Sequence, residues 1–392
     1  MSPDARIVKE TFALLEPNAD RAVAYFYGRL FAEQPRLRAL FPPALDAQRD
    51  RALRVLTRLV WSLEDPAVFE DRLRRLGREH RKMGLGREHY PAVGAALVAT
   101  LRRFAADAWT PRVEAAWTSV FAAAVRTMTE AAEADAARTP PWWLGEVIGH
   151  ERRRHDIAVL TVRPGQPLPY AAGQHVTVQT SRWPRVWRPY SVANAPRPDG
   201  VLTLHVRAVP AGWISGTLVR HTAVGDTVML GPAQGEMTLD RAGDRDLLLV
   251  AGGTGLAPLK ALAEQSLAAS PGRRIDLVWG VRTVTDLYDL PALRAMESAC
   301  PALRVIPVVS DDPGFEGLRG AVPDALRRLE DLPVADGHAY VSGPPAMVSR
   351  TVRALRELGA PPERIEHDGS DLDPDPAVVE PAPVGAAGLS RS

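Results

Sequence analysis

The spacing of apolar side chains changes its period along the chain, and the change divides the sequence. Up to about residue 138, apolar positions recur at steps of three and four, the helical period. Val23, Phe26, Tyr27, Leu30 and Phe31 form one stripe; Leu53, Leu56, Val60 and Leu63 form another. Asp65-Pro66 reads as a helix start, an N-cap carboxylate followed by Pro at the first helical position. Its face is Phe69, Leu73, Leu76, His80 and Met83. Further helices are expected from Tyr90-Pro91 through Val93, Leu97, Leu101 and Phe104, and over Val113, Trp117, Phe121, Val125 and Met128. Residues 1–138 therefore read as an all-α domain.

RTPPWW (138–143) breaks this pattern. The runs DIAVLTVRP, HVTVQT, VLTLHVRAV and DTVMLGP that follow are short, β-rich and separated by Gly and Pro. They predict an antiparallel β-barrel over residues 139–243. From about residue 245, strands (DLLLVAGG, RIDLVWG, LRVIPVVS, HAYVSG) alternate with helical segments. That alternation predicts an α/β domain with a parallel sheet over residues 244–370. The Pro-, Asp- and Ala-rich segment 371–392 is expected to be disordered.

Composition adds limits. At 392 residues the chain exceeds a single core, and the net charge of +1 does not point to nucleic acid or an anionic membrane. No run of about 18 apolar residues is present, and no apolar segment opens the chain. Cys300 stands alone, so an internal disulfide is excluded. A cytoplasmic protein is expected, with no integral membrane association and no obligate protein partner.

Residues 77–90, GREHRKMGLGREHY, carry Gly-Arg-Glu-His twice, ending at His80 and His89, the only histidines before residue 150. His80 continues the apolar face of Phe69, Leu73 and Leu76, where a histidine serves either a core or a ligand. His89 falls beside Arg87 and Glu88 ahead of the next helix and reads as a solvated helix-start residue.

RPYS (188–191) at a strand end, AGGTGLAP (251–258) at a strand-to-helix turn, and VSGPPAMV (341–348) together resemble the ferredoxin-NADP reductase superfamily over residues 145–368. The resemblance implies that Arg188 pairs with the FAD pyrophosphate, that Tyr190 packs on the flavin ring, and that Ser191, after Pro189, sits near its reactive nitrogen. Ser215 and Gly216 in GWISGTL would offer backbone N–H groups to the same pyrophosphate. His175 in GQHVTV stands where flavin-contacting aromatics often sit. Gly253, Thr254, Gly255, Leu256, Ala257 and Pro258 would cradle the nicotinamide dinucleotide phosphates, with Gly343 in the later turn and Ser342 where Cys is common. Arg282 leaves NADH and NADPH both open as NAD(P)H donors. Gly369 and Ser370 replace the aromatic that often covers the flavin.

AYFYGRLF (24–31), LRALFPP (37–43), His80 and REHYPAVGAALVATLRRF (87–104), joined to that reductase, resemble flavohaemoglobin. The resemblance implies haem b with His80 as iron ligand, Phe41 wedged against the haem, and Tyr27 hydrogen-bonding the bound O₂. Tyr90, ten residues after His80, would form a proximal network with a glutamate. Extrapolation of the last helix's inward face lands on Ala132, with Glu133 beside it and Glu130 two positions before, and Glu133 is taken as that glutamate. Gln48 or Arg49 would face the ligand from the distal helix. The implied activity is nitric oxide dioxygenation, with electrons passing from NAD(P)H through FAD to haem, and with O₂ and nitric oxide as small-molecule partners. An NAD(P)H oxidase or haemoglobin reductase with another acceptor, or a haem-based O₂ or redox sensor, are the alternatives.

Overall fold

Six helices fill the first part of the chain: α1 (Pro3–Ala13), α2 (Ala19–Glu33), α3 (Asp46–Trp61), α4 (Pro66–Met83), α5 (Tyr90–Ala105) and α6 (Pro111–Ala136). In this computed structural model, residues 3–367 are described. The expectations for 371–392, Gly369 and Ser370 lie outside them. The chain forms two compact units, one holding the helical residues through Trp142 and the other the strands that begin at Trp143.

The helices start and stop where local chemistry dictates. Asp65 Oδ1 accepts from the N–H groups of Ala67 and Val68 at 3.1 and 3.2 Å, capping α4. At its other end Gly84 turns left-handed (φ 75°), and the Leu85 N–H bonds the His80 carbonyl at 3.1 Å. This is the Schellman pattern, which satisfies the last helical carbonyls. Thr110 caps α6 through Val113 N–H at 3.3 Å.

The second unit opens with a six-stranded antiparallel sheet: β1 (Trp143–Arg152), β2 (Ile157–Pro164), β3 (His175–Thr180), β4 (Arg188–Ser191), β5 (Leu202–Arg207) and β6 (Thr227–Leu230), in the order β4-β3-β6-β1-β2-β5. A single antiparallel bridge between Val192 and Leu204 joins its two ends, so the sheet curls to a near-barrel. Helix α7 (Trp213–Arg220) follows β5. Strand β1 was not among the runs read as β-rich. Two glycines and four charged or histidine positions dilute its hydrophobic signal, and its pairing with β2 and β6 supplies what propensity does not.

A six-stranded parallel sheet follows, with β7 (Leu247–Gly252), β8 (Ile275–Val281), β9 (Leu303–Val309), β10 (Leu318–Arg319), β11 (His338–Ser342) and β12 (Ile365–His367) in the order β10-β9-β8-β7-β11-β12. Helices α8 (Leu256–Ala269), α9 (Leu290–Ala299), α10 (Val322–Arg328) and α11 (Pro345–Glu357) connect them. Alternation along β7 fixes the layers. Leu247, Leu249 and Ala251 pack with α8 and α9, while Leu248 and Val250 pack with α10 and α11. Burial on both faces explains the near-continuous apolar run. The C-terminal ends of β7 and β11 are neighbours, the place where open parallel sheets bind ligands.

Candidate functional site

The face predicted for α4 lines a cavity. Phe69, Leu73, Leu76, His80 and Met83 all border one apolar space of about 530 Å³ in the helical unit, closed by side chains from the other helices. Gly77 sets the height of α4: a Cβ there would lie 2.2 Å from the Met128 carbonyl oxygen, so the two backbones touch. His80, half-buried on the cavity wall, has its pKa pushed down to about 4 by burial. Its imidazole is therefore neutral at pH 7. Nδ1 lies 3.0 Å from Tyr90 Oη, which leaves Nε2 as the ring nitrogen available to a metal. Burial, aided by the Glu88 charge, raises the Tyr90 pKa, so that hydroxyl keeps its proton.

Tyr27 also lines the cavity and is 3 % exposed. Its ring is boxed by Phe26, Phe31 and Phe41 at centroid distances of 5.1, 5.7 and 5.6 Å. Burial raises its pKa, with a hydrogen bond to Gln48 and the charges of Arg49 and Arg51 opposing. Gln48 lines the cavity and Arg49 does not; Arg49 Nη1 is 3.7 Å from Asp46. Arg51 joins Gln48 on the wall, a residue the sequence reading missed although it lies one helical turn on.

Two expectations are corrected here. Glu133 does not reach the His80–Tyr90 pair: its side chain is 63 % exposed and its nearest cation is Arg87, at 4.0 Å. The α6 residue packed with Tyr90 is Met128, with Leu73 beside it. Five residues past Met128, Glu133 is rotated about 140° around the helix from that wall. His89 does stand at the start of α5, but it is not a solvated side chain. It is 21 % exposed, and Nδ1 accepts from the Gly86 N–H at 2.9 Å.

In the second unit, β4 presents four half-buried residues. Tyr190 pairs across the ladder with Val176, and Ser191 with His175. Cross-strand partners share a face, so His175 and Ser191 sit side by side, while Arg188 and Tyr190 share the other face of β4 and Pro189 lies on that of Ser191. At α7 the Ser215 hydroxyl accepts from Val209 N–H at 3.3 Å and bonds the Gly212 carbonyl at 3.4 Å. Gly216 is a correction: its N–H donates to the Gly212 carbonyl at 2.8 Å and is spent inside the helix. The N–H of Ser215 precedes that first helical bond and belongs to the group without an intrahelical partner.

At the end of β7, Gly253 adopts φ +55° and its carbonyl accepts from Trp279 Nε1 at 2.9 Å. A Cβ on Gly255 would lie 2.4 Å from the Ser342 carbonyl oxygen, and one on Gly343 3.0 Å from the Gly252 backbone. The two turns therefore meet backbone to backbone. Thr254 is half-buried, whereas Leu256, Ala257 and Pro258 are buried in the core, so only their backbone can serve a ligand. Arg282 is exposed at the end of β8.

A charged cluster beside this turn was missed. Arg207 Nε lies 3.2 Å from Asp156, and its Nη2 lies 2.7 Å from Asp286, which Arg154 also meets at 2.5 Å. A Cβ on Gly253 would come within 3.4 Å of Arg207 Nη1. Burial pushes the Asp286 pKa up, but bonds from Thr283 and both arginines outweigh it and hold it below the usual range. Its members come from three separated segments, so no local sequence signal marks them.

The donor sets fit three groups. An apolar slot with a neutral imidazole and a buried hydroxyl suits haem. A strand offering Arg, Tyr and Ser near a helix start suits FAD. Paired glycine turns at parallel strand ends suit a nicotinamide dinucleotide.

A haem-type pocket and a flavin–nicotinamide reductase on one chain define an electron-transferring haemoprotein. The sequence matches the Globin family over residues 24–128, the oxidoreductase FAD-binding domain over 145–238 and the oxidoreductase NAD-binding domain over 249–353. The chain belongs to the flavohaemoglobin family, as a globin joined to FAD- and NAD-binding domains. It is similar to the flavohemoprotein of Bordetella pertussis, 28 % identical over 93 % of this chain and 97 % of that one. Its reductase part is 35 % identical to the ferredoxin–NAD(P)(+) reductase component of the Pseudomonas putida naphthalene 1,2-dioxygenase system, over 61 % of this chain and 73 % of that one. Flavohemoglobin from Malassezia yamatoensis, solved with FAD and heme, shares its fold with a TM-score of 0.77 and 19 % identity, over 94 % of this chain and 98 % of that one. The protein is an NAD(P)H-dependent oxidoreductase with haem and FAD as cofactors. Among the described residues no helix is long and apolar enough to cross a membrane.

Proposed function

We propose that the chain is a nitric oxide dioxygenase that uses NAD(P)H and O₂ to convert nitric oxide to nitrate. The observation that carries this reading is the cavity itself. A neutral His80 backed by Tyr90 and the Tyr27–Gln48 pair both border it, among almost wholly apolar side chains. When bound, haem supplies the centre for O₂ chemistry, and FAD splits the two electrons of a nicotinamide hydride into single ones.

In this reading His80 would hold the iron through Nε2, with Tyr90 fixing the ring orientation through Nδ1. Phe41, on the cavity wall, would pack against the haem. The Tyr27 hydroxyl offers a hydrogen bond to a partly anionic diatomic ligand, worth about 1.5–3 kcal/mol, and Gln48 orients that hydroxyl. The apolar walls keep competing water out. Arg188, Tyr190, Ser191 and His175 would hold the flavin with the start of α7, and the Gly253–Pro258 and Gly343 turns would hold the nicotinamide dinucleotide. The domains are assigned to residues 1–138, 139–243 and 244–370, and the protein to the cytoplasm. Stopped-flow mixing of the reduced, oxygenated protein with nitric oxide tests the activity. Rapid stoichiometric nitrate is expected, and failure to form nitrate rejects it in favour of another acceptor.

A further inference from the structure

Trp213 is the first residue of α7, and its indole stacks on that of Trp183 with centroids 4.7 Å apart and planes at 17°. The pair is locked to one turn of helix. Trp183 Nε1 donates to Thr217 Oγ1 at 3.1 Å, and that hydroxyl donates to the Trp213 carbonyl at 2.8 Å. Stacking covers one face of Trp213, yet the residue stays 40 % exposed. A large indole rigidly presented to solvent is a ready surface for another flat ring. On the same helix Arg220 folds back by one turn, where a Cβ on Gly216 would lie 3.3 Å from Arg220 Nη1. That is the direction helical side chains lean. An aromatic platform, a guanidinium and the first N–H groups of a helix are thus carried by one short helix.

We propose that the Trp213 indole is the platform for the adenine ring of FAD, with Trp183 as its backing and Arg220 as a cation for the adjoining phosphates. The inference rests on the reading that the start of α7 takes the flavin pyrophosphate. A purine joined to that pyrophosphate through one ribose falls within reach of the first side chain of the helix. The flavin ring is assigned elsewhere, to Tyr190 and Ser191 on β4, which leaves the start of α7 to the other end of the cofactor. Trp213 is therefore expected to read the adenylate and not the flavin.

Titrating the full-length, flavin-stripped chain with FAD and with FMN, which lacks the adenylate, tests this. Trp213→Ala is expected to weaken FAD binding about ten-fold or more and to leave FMN binding unchanged. Trp213→Phe is expected to keep most of the FAD affinity. The unchanged FMN affinity reports an intact fold. Equal loss of both flavins, or full FAD affinity in Trp213→Ala, overturns the proposal. Arg188→Ala tests the underlying flavin site separately: it is expected to weaken both flavins, and no loss of either rejects that site whatever Trp213 does.

Discussion

His80 Nδ1 and Tyr90 Oη stand 3.0 Å apart, joining the end of one helix to the start of the next. The link depends on how tightly the chain reverses. Gly84 and Leu85 terminate α4, and the Gly86–His89 turn, closed by His89 N–H to the Gly86 carbonyl at 3.0 Å, delivers Tyr90 to the first position of α5. The two GREH copies thus do different work. Gly77 of the first seats α4 on α6 and His80 faces the cavity, while Gly86 and His89 of the second tie the turn.

Substituting each histidine separates these parts. His80→Ala is expected to abolish the haem Soret band in protein purified with added haem. His89→Ala should retain the band and lose about 1 kcal/mol of stability, the usual cost of a lost cap. Haem retention in His80→Ala would move the ligand assignment.

Tyr27→Phe removes the only hydroxyl in its aromatic box. The O₂ dissociation rate of the ferrous protein, followed by flash photolysis or stopped flow, is expected to rise by roughly ten to a hundredfold. An unchanged rate would leave Tyr27 as a core residue.

Tyr90 meets the His80 ring and Glu133 does not. Tyr90→Phe is expected to shift the iron–histidine stretching frequency in the resonance Raman spectrum, because it removes the partner of Nδ1. Glu133→Gln should leave that frequency where it was. Equal shifts in the two variants would restore the glutamate to the network.

Two helical glycines make opposite predictions. Gly77→Ala drives a Cβ into the Met128 backbone, and thermal unfolding is expected to show a loss of about 1–3 kcal/mol or more, with weaker haem retention. Gly28, inside α2, has nothing within 4 Å of its virtual Cβ. Gly28→Ala should stabilise the globin by about 0.5–1 kcal/mol. A stable Gly77→Ala protein would contradict the contact between α4 and α6.

His205 makes the reductase unit sensitive to acid. Its Nδ1 meets Tyr288 Oη at 2.9 Å, and burial pushes its pKa from 6.5 down to about 3. Between those values the unfolded chain takes up a proton and the native state does not, so stability rises with pH. The contribution is complete above pH 6.5 and is lost as pH falls toward about 3, by about 1.4 kcal/mol per pH unit. Guanidinium unfolding at pH 7, 6 and 5 should show this slope for the reductase transition, and His205→Gln should remove nearly one proton from it. An identical slope in the variant assigns the effect to other groups.

By itself the sequence determined the order of the three kinds of structure and His80 as the histidine on an apolar helical face, and the resemblance its motifs carry implied the cofactor set. These follow from periodicity and short motifs, which local geometry enforces. Tertiary structure decided the rest. Each residue turns a helix by about 100°, so on α6 the single step from the extrapolated inward position at Ala132 to Glu133 is enough to leave the inward face, and Glu133 stands exposed while Met128 packs inward. The same rotation chose Gln48 over Arg49 for the cavity wall. Gly216 was misread because a motif names residues, whereas the helix ladder decides which N–H groups are spent. The Arg154, Asp156, Arg207 and Asp286 cluster and the Trp183–Trp213 stack had no local signal, because their members meet only when separate strands and loops have packed.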